Sequence, residues 1–372
     1  MRHMLKRSTL TAPASEPPMR VFIGIVVVLA ALLGIAFYVY SAPDIPRATL
    51  EAKYATPPSQ FVTLTYPTTL RPDQQPTRLD SSVSYAFTAR AHYRIRGAAD
   101  APVLLLLHGS NASLFTWEPW STTLSDQFRV VSVDLPGHGL TGATANRDYS
   151  PLGMAAFVLA FADKLGLKTF ALAGNSMGGG VAARFAELHP DRVSALILLD
   201  ASGMPARQGE GTPIAFRLLR QGWLRPILAH LDPKPLVREG LGDAIVRKKI
   251  LTEKMIDLYA DFARMEGSRQ ATAERFGEFS ATDQGFVKDH IRALTMPVLI
   301  LWGEQDHLIP VSTAATWHDA IPGSKVIIYA ETGHIPMEEL ADQTALDVRK
   351  FLGGPVQMVP SSQPVRRHRV PA

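Results

Sequence analysis

A recurring rhythm constrains this chain more than any other feature. Short uncharged apolar runs follow one another, each closing on a turn and giving way to a segment of helical periodicity. Val103–Leu107 (VLLLL) has no polar face and is too short for a helix, so it suits a strand covered on both sides. Residues 129–134, Phe170–Asn175, 193–200, 297–303 and Lys325–Tyr329 repeat the pattern. Between them, 151–165 (with proline at its start) and Met177–Leu188 read as helices, and 336–351 as a closing one. Such alternation calls for a mostly parallel sheet with helices on both faces. Ahead of the series, 60–65 and 89–96 alternate as half-buried strands do.

Residues 203–290 break the rhythm with helix-like segments and no convincing strand. A structureless loop of that length is uncommon inside a domain, so an inserted helical cap is expected. Its first half, 204–249, carries nine Lys or Arg against four acids, and 250–290 carries five against eight. In the first half Ile214, Phe216, Trp223 and Leu224 interleave with Arg217, Arg220 and Arg225. The plain expectation is a cap helix with its apolar face on the pocket and its arginines in water. The sharper one is a cap that touches a membrane and admits lipidic esters.

Phe170–Asn175 runs into Gly174-Asn175-Ser176-Met177-Gly178, and a helix follows. Gly-x-Ser-x-Gly between strand and helix thrusts the serine hydroxyl out at the carboxyl end of the strand, over a helix N-terminus that favours negative charge. The hydroxyl becomes a nucleophile only when a base takes its proton, and the base needs a carboxylate to orient it. Asp306 follows the run 297–303, and His334 follows Lys325–Tyr329. Both therefore fall at the carboxyl edge of the sheet, beside Ser176. Asp200, closing 193–200, is the alternative acid. His307 precedes the last strand and fits the order badly, and Glu304 reads as a solvated loop carboxylate. His108 and His138 stand in glycine turns and read as structural. An oxyanion at Ser176 needs backbone N–H donors. Met177 supplies one, and the loop His108-Gly109-Ser110-Asn111 the other, with Ser110 as the expected donor and Asn111 as the fallback.

Five segments, LLLLHGSNASLFTW, VDLPGHGLT, AGNSMGGG, LILWGEQDHLIP and ETGHIPMEE, lie in order within residues 60–352. Through them the chain resembles the α/β-hydrolase superfamily. The resemblance implies the α/β-hydrolase fold, a cap that shapes the substrate pocket, and Ser176, Asp306 and His334 as nucleophile, acid and base. It implies no metal and no organic cofactor. The string Gly-Asn-Ser-Met-Gly-Gly is similar to the elbow of hydrolases that cleave C–C bonds in ring-fission products, and esterases and lipases share it. Those C–C hydrolases commonly carry tryptophan after the histidine, where this chain has Ile335. Dehalogenases and epoxide hydrolases of the fold use aspartate where Ser176 stands. The expected reaction is hydrolysis of a carboxylic ester through an acyl-enzyme. C–C hydrolysis of a diketone is the alternative enzyme, and a membrane-tethered ligand-binding scaffold the non-catalytic alternative.

Residues 21–40 form an uncharged stretch, VFIGIVVVLAALLGIAFYVY. As a helix it is ~30 Å long, the thickness of a bilayer's hydrocarbon core. Arg2, Lys6, Arg7 and Arg20 precede it against Glu16. By the positive-inside rule, residues 1–20 stay in the cytoplasm and the remainder lies on the extracytoplasmic side. A cleaved signal peptide competes, but Tyr40 is bulky where a small residue is wanted and Pro43 follows closely. Residues 41–59 read as a proline-rich stalk, 60–352 as the hydrolase domain, and 353–372 as a disordered tail. The formal charge of +4 resides in the two ends, which leaves the body without a basic surplus for nucleic acid. The chain has no cysteine, which excludes disulfides and thiolate chemistry.

Overall fold

A computed structural model describes residues 18–67, 86–205, 230–281, 291–353 and 367–368. The chain divides into two units, Met1–Ala42 and Pro43–Ala372. The first contains helix α1 (Pro18–Tyr40). Its stretch Phe22–Tyr40 has a mean hydropathy of 2.8 and is long and apolar enough to cross a membrane. Ser41 Oγ closes the helix by donating to Phe37 O at 2.6 Å.

The second unit is built on one sheet. Its strands are β1 (Ser59–Pro67), β2 (Ala86–Arg96), β3 (Val103–Leu107), β4 (Arg129–Val133), β5 (Phe170–Asn175), β6 (Val193–Leu199), β7 (Val298–Gly303), β8 (Lys325–Tyr329) and β9 (Arg367–His368). The spatial order is β1-β2-β4-β3-β5-β6-β7-β8-β9. β4, β3, β5, β6, β7 and β8 run parallel to their neighbours in that series, whereas β1, β2 and β9 pair antiparallel. β3 departs for β4 on one side and the chain then returns to β5 on the other, so the order reverses beside the serine strand. Crevices at such reversals, at the carboxyl ends of strands, hold ligands in open α/β sheets.

Strand alternation sorts the core into two layers. Leu105, Leu107, Leu172, Leu198, Ile300 and Trp302 face one side, with helices α4 (Pro151–Lys164), α5 (Met177–Leu188) and α9 (Ser312–Ala320). Leu104, Leu106, Ala173, Ile197, Leu199 and Leu301 face the other, with α3 (Glu118–Leu124) and α11 (Ala341–Phe351). Odd and even positions of one strand thus feed opposite cores, as a period of two requires. Helix α4 begins where its sequence announces a start: Ser150 caps it by accepting from Gly153 N at 3.0 Å, and Pro151 follows.

Between β6 and β7 the described residues contain helices α6 (Lys234–Ala244), α7 (Glu253–Ala263) and α8 (Ser268–Ala281) and no strand. The arginine-interleaved stretch around Phe216 and Trp223 lies outside the described residues.

Two readings of the sequence need correction. The closing helix 336–351 is two helices, α10 (Pro336–Glu339) and α11, because Leu340 leaves helical geometry at φ −129°. In the tail, Arg367–His368 pairs with β8, and the remainder from 354 lies outside the described residues. The stalk, 41–59, is not a free linker. Helix α2 (Arg47–Tyr54) forms there and buries Leu50 against Leu140, Phe262 and Met265. Arg47 Nη1 donates to Leu140 O and Thr141 O at 2.9 and 3.0 Å. Asp44 pairs with Arg269 at 2.9 Å, and Ile45 bridges Met265. Leu50 and Tyr54 are four apart and share a helix face, a short apolar stripe hidden among prolines and charges.

Candidate active site

Ser176 stands between β5 and α5 with φ 53° and ψ −121°, a conformation that a residue with a side chain rarely adopts. Neighbouring backbone enforces it. Ser176 N donates to Leu199 O at 2.9 Å, and Gly180 N and Ser202 N donate to Ser176 O at 3.1 and 3.0 Å. Gly178 permits the turn because a Cβ there would lie 2.3 Å from Leu107 O, inside the central strand.

Asp306 follows β7 and His334 follows β8. His334 Nδ1 donates to Asp306 Oδ2 at 2.7 Å. The other carboxylate oxygen, Oδ1, accepts from Leu308 N at 2.8 Å and Ile309 N at 3.0 Å. With Nδ1 occupied as a donor, His334 Nε2 is the acceptor. Both side chains are buried. Ser176 Oγ makes no hydrogen bond to His334, but the two loops are tied: Asn175 Nδ2 donates to His334 O at 3.0 Å. Glu304 and His307 are exposed beside Asp306 and point to solvent-side roles.

The loop 108–111 packs directly on the elbow, since a Cβ on Gly109 would lie 3.1 Å from Ser176 Cβ. His108 Nδ1 donates to Gly109 O at 2.8 Å, and its Nε2 accepts from Leu135 N at 3.0 Å. Burial holds this imidazole below its usual range, so it stays neutral and serves as a strut. Asp134 braces the same region. Its Oδ2 accepts from His92 Nδ1 at 2.6 Å and Leu140 N at 2.8 Å, and its Oδ1 accepts from Leu114 N at 2.7 Å. Met177 is buried at the first turn of α5, and Asn111 takes φ 58°.

Asp200 closes β6 and does not contact His334 Nδ1. Its Oδ1 accepts from Gly303 N at 2.9 Å, while its buried Oδ2 meets no donor. One of its oxygens lies within 4.8 Å of an Asp306 oxygen and of a His334 ring nitrogen. Burial, and then the charge of Asp306, push the Asp200 carboxyl well above the carboxylate range. The three groups would offer a cation two oxygens and a nitrogen, but Asp306 Oδ2 and His334 Nδ1 are already engaged with each other.

Two further residues escaped the sequence reading. Glu339 Oε1 accepts from Gly333 N at 2.7 Å, and its Oε2 from Val246 N and Arg247 N at 3.0 and 2.7 Å. It therefore pins the histidine loop to the cap, and His334 N donates to Ala244 O at 2.8 Å in the same seam. Its only signal was position, in a helix opened by Pro336 just past His334. Arg275 of α8 is fully buried; Nη1 reaches His138 Nε2 at 2.7 Å and Nη2 donates to Asn111 Oδ1 at 2.5 Å. Burial lowers its pKa to about 10. In sequence it was one cap arginine among many.

A crossover sheet with a strained serine after β5, a carboxylate after β7 and a histidine after β8 has the arrangement of the α/β-hydrolase fold. A family model for the alpha/beta hydrolase fold matches residues 102–340, and the chain belongs to that family. It is 30% identical, over 74% of its length and 71% of the relative's, to the dihydrolipoyllysine-residue acetyltransferase component of an acetoin cleaving system from Cupriavidus necator. It is 28% identical, over 70% and 78%, to a monoacylglycerol lipase of Xenopus laevis. Among solved structures it is similar to a membrane phospholipase A described as a bacterial virulence factor, with a TM-score of 0.62 and 26% identity over 90% of this chain and 98% of that one.

Proposed function

We propose that this chain is a membrane-anchored serine hydrolase of carboxylic esters. The observation that carries the reading is the 2.7 Å bond from His334 Nδ1 to Asp306 Oδ2, beside a serine held at φ 53°. In this reading Ser176 Oγ attacks the ester carbonyl and its proton passes to His334 Nε2. Asp306 holds the imidazole in the required tautomer and stabilises the cation formed. The amides of Met177 and Ser110 take the oxyanion. The intermediate collapses as His334 returns the proton to the departing alkoxide. Water, deprotonated by the same nitrogen, then attacks the acyl-enzyme, and the acid leaves with Ser176 restored. No metal or organic cofactor enters these steps.

The monoacylglycerol lipase and the membrane phospholipase A support a lipid-derived ester as the substrate class. Helix α1, with the basic residues that precede it, supports an anchor whose N-terminus is cytoplasmic and whose catalytic unit is extracytoplasmic. Ile335 after the histidine speaks against C–C hydrolysis.

The test uses the full chain in membranes. A fluorophosphonate probe labels wild type and spares Ser176→Ala, and turnover of p-nitrophenyl esters rises and falls along a chain-length series. A folded wild type that stays unlabelled would falsify the reading. Alkaline extraction leaves the full chain in the membrane fraction and releases a variant lacking residues 1–42; extraction of both overturns the anchor.

A further inference from the structure

We propose that Asp200 is a positioning residue that carries a proton at neutral pH and donates it in a hydrogen bond to Asp306, setting the strength of the Asp306–His334 pair. This rests on the hydrolase reading above and deepens it.

Asp306 Oδ1 accepts two amides and Oδ2 accepts His334 Nδ1, the set that a carboxylate wants. Asp200 has the amide of Gly303 on Oδ1 and nothing on Oδ2, with no solvent exposure at all. An ionised carboxylate in that state would leave a buried oxygen undressed beside a second carboxylate within 4.8 Å. Two such groups in one dry site do not both ionise. A proton on Asp200 Oδ2 resolves both problems, because the orphan acceptor becomes a donor and only one of the two neighbouring carboxyls then carries charge.

The surrounding charges agree. Burial first and the Asp306 charge next act to keep the Asp200 proton on; the Gly303 amide acts against them, and Glu339 adds a smaller push in their favour. His334, the remaining titratable group in the cluster, is bound to Asp306 and not to Asp200. The backbone is special here as well, since Asp200 sits at φ 44° while its N donates to Leu301 O at 3.0 Å.

A neutral donor on Asp306 weakens its pull on the imidazole proton. Removing the donor strengthens that pull, so the general base holds its proton to higher pH. Removing an ionised Asp200 has the opposite effect. Two variants separate these outcomes. Asp200→Asn preserves the acceptor for Gly303 N and a neutral donor for Asp306, whereas Asp200→Ala removes both. The expected result is an acid limb of kcat/KM unchanged within ~0.3 pH unit for Asn and raised by ~0.5 unit or more for Ala. A lowered limb in the Asn variant, or an unmoved limb in both, overturns the proposal. An infrared difference spectrum of wild type against Asp200→Asn at neutral pH reads the proton directly and needs neither turnover nor the Ala variant to fold. A protonated-carboxyl C=O band lost in the variant supports the proposal, and its absence from wild type overturns it. Wild type without esterase activity would instead overturn the hydrolase reading, leaving the infrared band to decide the state of Asp200.

Discussion

Asp306 and His334, 28 residues apart in sequence, meet through a single 2.7 Å bond from Nδ1 to Oδ2. Each is carried by the loop after its own strand, and β7 and β8 are adjacent and parallel. The bond decides which imidazole nitrogen is free. Asp306→Asn presents either an amide N–H or a weaker acceptor to Nδ1 and favours the wrong tautomer. The expected loss in kcat is about 10⁴-fold with little change in thermal stability. Steady-state ester hydrolysis together with a melting curve checks it, and a loss below tenfold removes Asp306 from its role.

Glu339 fastens three backbone amides with two oxygens. Glu339→Ala leaves those amides without acceptors, at ~1–3 kcal/mol for each that stays buried. Glu339→Gln is no rescue, since its amide nitrogen must face one of the same donors. Both variants are expected to melt several degrees lower and to lose at least tenfold in kcat as the His334 loop loosens. Equal activity for Gln and wild type would contradict this.

Glu338, the neighbouring acid, crosses between the core and the cap. It accepts from Thr116 Oγ1 and, at 3.3 Å, from the hydroxyl of Tyr259 on α7. Burial pushes its pKa up to about 7. An acid whose folded pKa is raised binds its proton more tightly folded than unfolded. Its contribution is therefore most favourable below the ordinary glutamate value and is lost as pH rises toward 7. The penalty above pH 7 is on the order of 3 kcal/mol. Denaturation at pH 5 and pH 8 should show a smaller fall for Glu338→Gln than for wild type. Parallel falls would show that Glu338 is not the group responsible.

Gly178→Ala tests the elbow without touching a reactive atom. Its methyl would stand 2.3 Å from Leu107 O, a backbone oxygen of the central strand that cannot swing away. A loss of ~4 kcal/mol or more is expected, seen as insoluble protein or a collapsed melting transition. A soluble, active variant would mean that the turn is looser than the structure has it.

The sequence marked the strands of the central sheet well because strands buried on both faces admit almost no polar residue, so VLLLL and VLILWG stand out. Helices that hold few apolar positions are not legible in it. Helix α2, in RATLEAKY, shows only Leu50 and Tyr54 as a stripe, and its charges and the prolines that flank it imitate a linker. Helix α3, in EPWSTTL, is short and rich in Ser and Thr, whose intrinsic helix preference is modest. Neither helix is chosen by its own residues; each forms because a core takes up one face of it.

For the site the division is similar. The strand, the Gly-x-Ser-x-Gly turn and the helix around Ser176 lie within twenty consecutive residues, so local sequence determined that element and its strain. The order of Asp306 and His334 after later apolar runs nominated them too, because in a parallel sheet every strand delivers its following loop to the same edge. What only the tertiary structure decided is which acid faces the imidazole and how the unused one is dressed. Asp200 and Asp306 are alike on paper, each an aspartate at the end of an apolar run. Loop conformation gives Asp306 the His334 bond and leaves Asp200 with a single amide. Glu339 and Arg275 belong to the same category, since their partners lie on loops and helices far away in sequence and no local pattern announces contacts made across the seam between cap and core.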